Sequence, residues 1–136
     1  MSVNQPITRV RDIMKTQVGT IDGIATVSDA LKKMKALKTS VLIVNKRHDD
    51  DEFGMLTSGD IARHVLAKDR APERVNVYEI MTKPVLSVSP DMDIRYCSRL
   101  FANYDLVRAP VVENKEVIGM VSPNALVLDG LYKIFQ

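Results

Sequence analysis

Apolar and polar positions fall into blocks that recur along the chain. Val41-Leu42-Ile43-Val44 is a mostly β-branched run closed by polar residues, short enough to predict a buried strand rather than a helix. With 53–56 it brackets a polar stretch at 45–52, and 109–112 brackets 113–116 with 117–121 in the same way, so two hairpins are expected. Ahead of each hairpin lies an apolar stripe at helical spacing. The first is Ala30, Leu31, Met34 and Leu37, with Ser28 as the expected N-cap and Asp29 in the first turn. The second is Ile94, Cys97, Leu100, Phe101 and Tyr104, with Ser89 as the expected cap and Pro90 at the first helical position, where a missing N–H is harmless. Short extended pieces at 18–21 and 85–88 precede these helices, and a second amphipathic helix follows each hairpin, near 60–67 and 124–132.

The blocks are copies of one unit. Val10-Arg11-Asp12-Ile13-Met14 returns as Val77-Tyr78-Glu79-Ile80-Met81, and Gly54-Met55-Leu56-Thr57 returns as Gly119-Met120-Val121-Ser122. Each copy reads β-α-β-β-α, which predicts an α+β fold of two units, drawn at 7–70 and 71–136. A sheet of about three strands with two helices leaves one face bare, so the two units are expected to pack against each other.

Composition narrows the function classes. The 136 residues are 46% hydrophobic and 26% charged, the balance of a globular protein. Nineteen basic against seventeen acidic side chains give a net charge of +2, too little to argue for nucleic acid. The basic residues Lys32, Lys33, Lys35, Lys38, Lys68, Arg70 and Arg74 lack interleaved aromatics, which also speaks against it. One cysteine, Cys97, excludes an internal disulfide framework and any multi-cysteine metal site, and its place on an apolar stripe predicts a buried, inert thiol. Two histidines do not make a His-rich metal site or a Ser-His-Asp machine, so no enzyme is expected and no catalytic or metal-binding residue is assigned. No apolar run approaches the ~18 residues of a membrane span. Met1-Ser2-Val3-Asn4-Gln5-Pro6 lacks the regions of a signal peptide, so a cytoplasmic setting without membrane attachment is expected. The cluster His48-Asp49-Asp50-Asp51-Glu52 lacks the glycine and terminal glutamate of a calcium loop and reads as a solvated hairpin tip, with Lys46 and Arg47 beside it. Seven methionines fall largely at apolar positions of the repeat and read as core.

A tandem β-α-β-β-α unit closing in Gly54-Met55-Leu56-Thr57-Ser58-Gly59-Asp60-Ile61 resembles the cystathionine-β-synthase (CBS) domain pair, or Bateman module, in a stand-alone CBS domain-containing protein. Ala109-Pro110-Val111-Val112 is similar to the family's second strand, and the resemblance spans about 7–132. It implies a regulatory, ligand-sensing module without catalytic activity and with no obligatory cofactor. Two units face each other and leave two clefts for adenosine-containing ligands: AMP, ADP, ATP, S-adenosylmethionine or NAD. A homodimer, energy sensing and an unidentified effector protein that reads the ligand-induced change are further implications.

Residue by residue, the resemblance assigns Asp60 to the ribose hydroxyls, and Thr57 with Ser58 to the ligand's polar groups. Gly59 admits close approach of a ligand to the backbone. Arg63 and Arg108 would face phosphate, while Val85, Leu86, Ser87, Leu106, Val107 and Pro110 would form the wall for the base. The second cleft, drawn from Thr20, Ala25, Thr39, Ser40, Ser122 and Asn124, is expected to be degenerate, because Ala125 stands where a ribose carboxylate belongs. The residues alone also admit plainer readings. Asp60 is a natural helix cap, and Arg63 and His64 are natural solvated helix residues. The competing function is a dimeric scaffold that has lost ligand binding, favoured by Ala125 and opposed by the intact Thr57–Asp60 signature.

Overall fold

The structure, a computed structural model, describes residues 7–135; the segment 1–6, on which the signal-peptide reading rests, lies outside them. The chain forms two compact units that do not follow the order of the repeats. One is 18–85; the other joins the N-terminal segment through Gln17 to the chain from Leu86 onward.

In the 18–85 unit, β1 (Thr20–Ile21) runs parallel to β2 (Val41–Val44), and β2 pairs antiparallel with β3 (Gly54–Thr57), Val41 opposite Thr57. Helix α2 (Val27–Leu37) lays Val27, Ala30 and Met34 on this sheet beside Leu42, Val44 and Leu56. Leu31 and Leu37 of the expected stripe are instead exposed. The N-cap is Thr26, not Ser28. The Thr26 hydroxyl accepts the Asp29 N–H at 3.1 Å while the Asp29 carboxylate accepts the Thr26 N–H at 3.1 Å. This reciprocal box needs a carboxylate three residues after the cap, which Thr26 has and Ser28, followed by Leu31, does not.

The Ile-Met segment of the second repeat completes this core. Val75, Val77 and Ile80 are buried in it, the latter two from α4 (Val77–Ile80), behind a 3₁₀ turn at Pro72–Arg74. Val27 donates to the Val75 carbonyl and Val77 to the Ala25 carbonyl, both at 2.8 Å, and Met55 and Thr82 exchange two bonds of 2.9 Å at the β3 edge.

The other unit repeats the plan with the first Ile-Met segment. Helix α1 (Val10–Ile13) packs with α5 (Ile94–Tyr104) and the antiparallel pair β4 (Ala109–Glu113) and β5 (Glu116–Val121). Lys15 and Met120 exchange two bonds of 2.9 Å at the β5 edge. The expected extended piece at 85–88 shrinks to one parallel bridge, Val88 with Val111: Val88 donates to the Pro110 carbonyl and Val112 to the Val88 carbonyl, each at 3.0 Å. Prolines confine it. Extending the ladder either way needs an N–H at Pro110 or at Pro90, and neither has one. Helix α5 begins at Ile94 under an Asp93 cap, whose carboxylate accepts the Arg95 N–H at 2.8 Å, and not at Ser89. The intervening backbone is used otherwise, since the Pro90 and Met92 carbonyls accept the Arg11 and Val10 N–H groups at 2.9 Å. Tyr104, assigned to the stripe, is exposed.

The helices after the hairpins are both wider than α. Helix α3 (Ser58–Ile61) continues as a π-helical stretch over Ala62–Leu66, and Ala125–Leu131 is π-helical before α6 (Tyr132–Ile134). No described helix is long and apolar enough to cross a membrane.

Candidate functional site

The β3–α3 junction carries the Thr57–Asp60 signature. Thr57 ends its strand in extended backbone, and its hydroxyl accepts the Asp60 N–H at 3.1 Å. In return Asp60 Oδ2 accepts the Thr57 N–H at 2.9 Å. The N-cap is therefore Thr57, and Asp60 is its partner in the box, three residues on, rather than the cap its sequence context suggested. The same reach-back of a carboxylate to the N–H three residues before it occurs at Asp12 to Arg9, Asp29 to Thr26 and Glu79 to Asn76.

Asp60 differs from those three in its surroundings. Among the described residues it is the one charged or polar residue that is buried, at 5% exposure, whereas Asp12, Asp29 and Glu79 are exposed. Its second oxygen, Oδ1, accepts a hydrogen bond from Arg63 Nη2 at 2.9 Å. That ion pair is lopsided: the Asp60 side chain is 7% exposed and that of Arg63 66%. A carboxylate offers about four acceptor positions, so two are still open after these contacts. Gly59 lies beneath the guanidinium, and a Cβ there would stand 3.3 Å from Arg63 Nη1 and 3.5 Å from Thr57 Oγ1.

Neighbouring groups come from the head of β2. Ser58 donates its N–H to the Ser40 carbonyl at 2.9 Å, and the Thr39 hydroxyl bridges the backbone of Val41. Thr39 and Ser40, read from sequence as part of the degenerate cleft, thus stand beside Thr57 and Ser58. Thr20 lies in β1, and Ala25 packs on the same unit's core. Ser58 is exposed and Val85 half-buried.

The remaining assigned residues belong to the other unit. Leu86, Ser87 and Val107 are exposed; Arg108 is half-buried, and Leu106 packs on that unit's core. Pro110 is fully buried in β4. At the counterpart junction the Ser122 hydroxyl accepts the Ala125 N–H at 3.4 Å, but Ala125 is buried and has no carboxylate to return the bond. Asn124 is exposed, in helical backbone, and makes no side-chain cap.

Two features escaped the sequence reading. The Asp60–Arg63 pair is an i,i+3 contact that helical spacing would have flagged. At the hairpin tip Asp51 is not solvated: its side chain is 8% exposed, pairs with Lys83 at 2.8 Å and accepts from the Arg47 backbone and side chain. The Lys83 ammonium, followed by the Arg47 N–H, holds the Asp51 carboxyl well below the usual carboxylate range. Nothing in the sequence ties 51 to 83 across the β3 edge. Cys97 is buried, and burial pushes its thiol up to about 11.

Two tandem β-α-β-β-α copies with a Thr-x-x-Asp cap at the end of a hairpin define a class, and the chain belongs to the CBS domain family. The family model, described as CBS domain, matches residues 10–67 and again 77–128. The CBS domain-containing protein YhcV of Bacillus subtilis is 30% identical over 122 residues, covering 90% of this chain and 85% of that one. The crystal structure of a hexameric CBS-CP12 protein from bloom-forming cyanobacteria is similar at a TM-score of 0.88 and 38% identity, over 93% of this chain and 70% of that one. The CBS domain pair of protein MJ0100, solved in complex with 5′-methylthioadenosine and S-adenosyl-L-methionine, is similar at a TM-score of 0.78 and 25% identity, over 96% of this chain and all of that one (100%).

Proposed function

We propose that this chain is a non-catalytic regulatory module that senses an adenosine-containing nucleotide, with Asp60 as the acceptor for the ribose hydroxyls. The observation that carries the proposal is the burial of Asp60, whose side chain is 7% exposed while the three other carboxylates that close capping boxes lie in solvent. A capping box alone does not call for a buried carboxylate, since Asp12, Asp29 and Glu79 do the same work in solvent. Oδ2 stays committed to the Thr57 N–H and keeps the carboxylate oriented, while the Oδ1 side is turned to an exposed and exchangeable partner. Two adjacent hydroxyls match the acceptor positions left on such a group. The adenosine moiety shared by both ligands of the MJ0100 pair supports the ligand class. The hexameric CBS-CP12 neighbour supports function as an assembly of like chains. Ligand binding would then bias the assembly between two conformations in proportion to its differential affinity for them, and an effector protein would read the outcome.

A second reading, a scaffold that no longer binds ligand, is favoured at one point only: Ala125 leaves the counterpart junction without a carboxylate. The two readings separate at the ribose. Dissociation constants for AMP and for 2′-deoxy-AMP are measured with the wild-type protein and with Asp60→Asn, which keeps the side chain's size and one oxygen to accept the Thr57 N–H. The wild type is expected to hold AMP about tenfold more tightly, the value of one hydrogen bond to a charged group. Asp60→Asn should reduce that preference to less than threefold. Equal binding of the two nucleotides by the wild type would refute the role of Asp60.

A further inference from the structure

We infer that Arg63 is a displaceable occupant of the Asp60 carboxylate, and that its exchange makes the site select anionic adenosine ligands over neutral and cationic ones. The inference rests on the nucleotide reading above, in which Arg63 faces phosphate, and adds the exchange of partners at Asp60 that couples ribose binding to the ligand's charge.

The geometry divides the ion pair into a fixed and a movable half. Asp60 is fixed by burial and by its box with Thr57. Arg63 is 66% exposed, and Asp60 Oδ1 is the one hydrogen-bond partner of its guanidinium among the described residues. The guanidinium folds back over residue 59, where a side chain would crowd it at 3.3 Å; Gly59 supplies the space the arginine uses. Sequence reasoning reserved that space for a ligand. In this structure Arg63 fills it.

A ribose hydroxyl approaching Oδ1 meets the position that Arg63 Nη2 holds at 2.9 Å. The exchange keeps the buried carboxylate hydrogen-bonded, to ribose hydroxyls in place of the guanidinium, and frees only the exposed half of the pair, Arg63. The released guanidinium stays tethered within one side-chain length of Asp60 and carries a full positive charge with a planar fork of donors. A phosphate on the incoming ligand gives that charge a bidentate partner, so displacement is repaid. A neutral nucleoside leaves it in solvent, and a ligand bearing a sulfonium sets two cations side by side. None of the other capping-box carboxylates has this device: Asp12 and Asp29 have no ion pair among the described residues, and the Arg70 that pairs with Glu79 does so at 3.3 Å on the surface.

The test titrates adenosine, AMP and S-adenosylmethionine into wild-type protein, Arg63→Gln and Arg63→Lys at one ionic strength. Ligand-free thermal midpoints confirm that the exposed substitutions leave the fold intact. The wild type is expected to prefer AMP to adenosine by about tenfold. In Arg63→Gln adenosine and S-adenosylmethionine should bind two- to fivefold more tightly and AMP about tenfold more weakly, collapsing the preference. Arg63→Lys should recover part of it. An AMP-to-adenosine ratio unchanged in Arg63→Gln would overturn the role of Arg63 and leave the nucleotide reading standing. Failure of the wild type to bind any of the three would overturn that reading, and this role with it.

Discussion

Asp60 and Asp51 show how a carboxylate acquires a task from what surrounds it. Asp51 sits in an acidic run and Asp60 stands alone where a strand turns into a helix, yet both side chains have lost most of their exposure. Thr57 and Asp60 were legible as a candidate pair through the signature they close, and their spacing, with two residues between a hydroxyl and a carboxylate, is also that of a capping box. What the spacing could not convey is that one of four such carboxylates would be buried, since burial is decided by residues far away in sequence. Asp51 was misread for the same reason. Its partner Lys83 lies 32 residues on, and only the β3 edge brings them together. A carboxyl whose folded pKa is depressed adds stability above its unfolded pKa and loses it as pH falls through the folded value. The Asp51 contribution should therefore be complete above about pH 5 and vanish progressively below about pH 4. Thermal midpoints across that range should fall more steeply for the wild type than for Asp51→Asn, with the two curves converging in acid. Parallel curves would mean that the Lys83 pair contributes nothing.

Among elements, the glycines of the two hairpins' second strands, Gly54 and Gly119, set the architecture. A Cβ on Gly54 would lie 2.8 Å from Met81 Sδ, and one on Gly119 would lie 2.7 Å from Met14 Sδ and 2.9 Å from the Lys15 carbonyl. The repeated glycine and the repeated methionine are thus two halves of one joint, in which an Ile-Met segment closes over a bare strand. At Gly119 the obstruction includes backbone that is itself bonded to Met120, so it cannot swing aside. Gly119→Ala should cost about 1–3 kcal/mol by overpacking. Gly23→Ala, whose Cβ would meet nothing closer than 3.5 Å, should stay within about 0.5 kcal/mol, both read from denaturant midpoints. Equal stability of the two variants would contradict the joint. Helices and hairpins were legible from periodicity, but helix starts were not. Ser28 and Ser89 are good cap residues in isolation and lost to Thr26, with its Asp29, and to Asp93, because a cap also has to fit the bonds its neighbours already make.

At the scale of the molecule, the internal repeat revealed two units but not their membership. Either Ile-Met segment would fit either glycine by composition, so nothing local states that 7–17 packs with the second hairpin and 77–81 with the first. The α+β class and the CBS family followed from the order and duplication of motifs, which survive any such exchange of partners. The central claim, a module that senses adenosine-containing nucleotides, is most directly tested by thermal unfolding of the intact protein with AMP, ADP, ATP, S-adenosylmethionine and NAD. A ligand that binds the folded state at 100 times its dissociation constant adds about 2.7 kcal/mol, several degrees in midpoint for a chain of this size. Such a rise is expected with at least one phosphate-bearing ligand, cut to about half in Asp60→Asn by a tenfold loss of affinity. A midpoint indifferent to every ligand would contradict it and favour the scaffold.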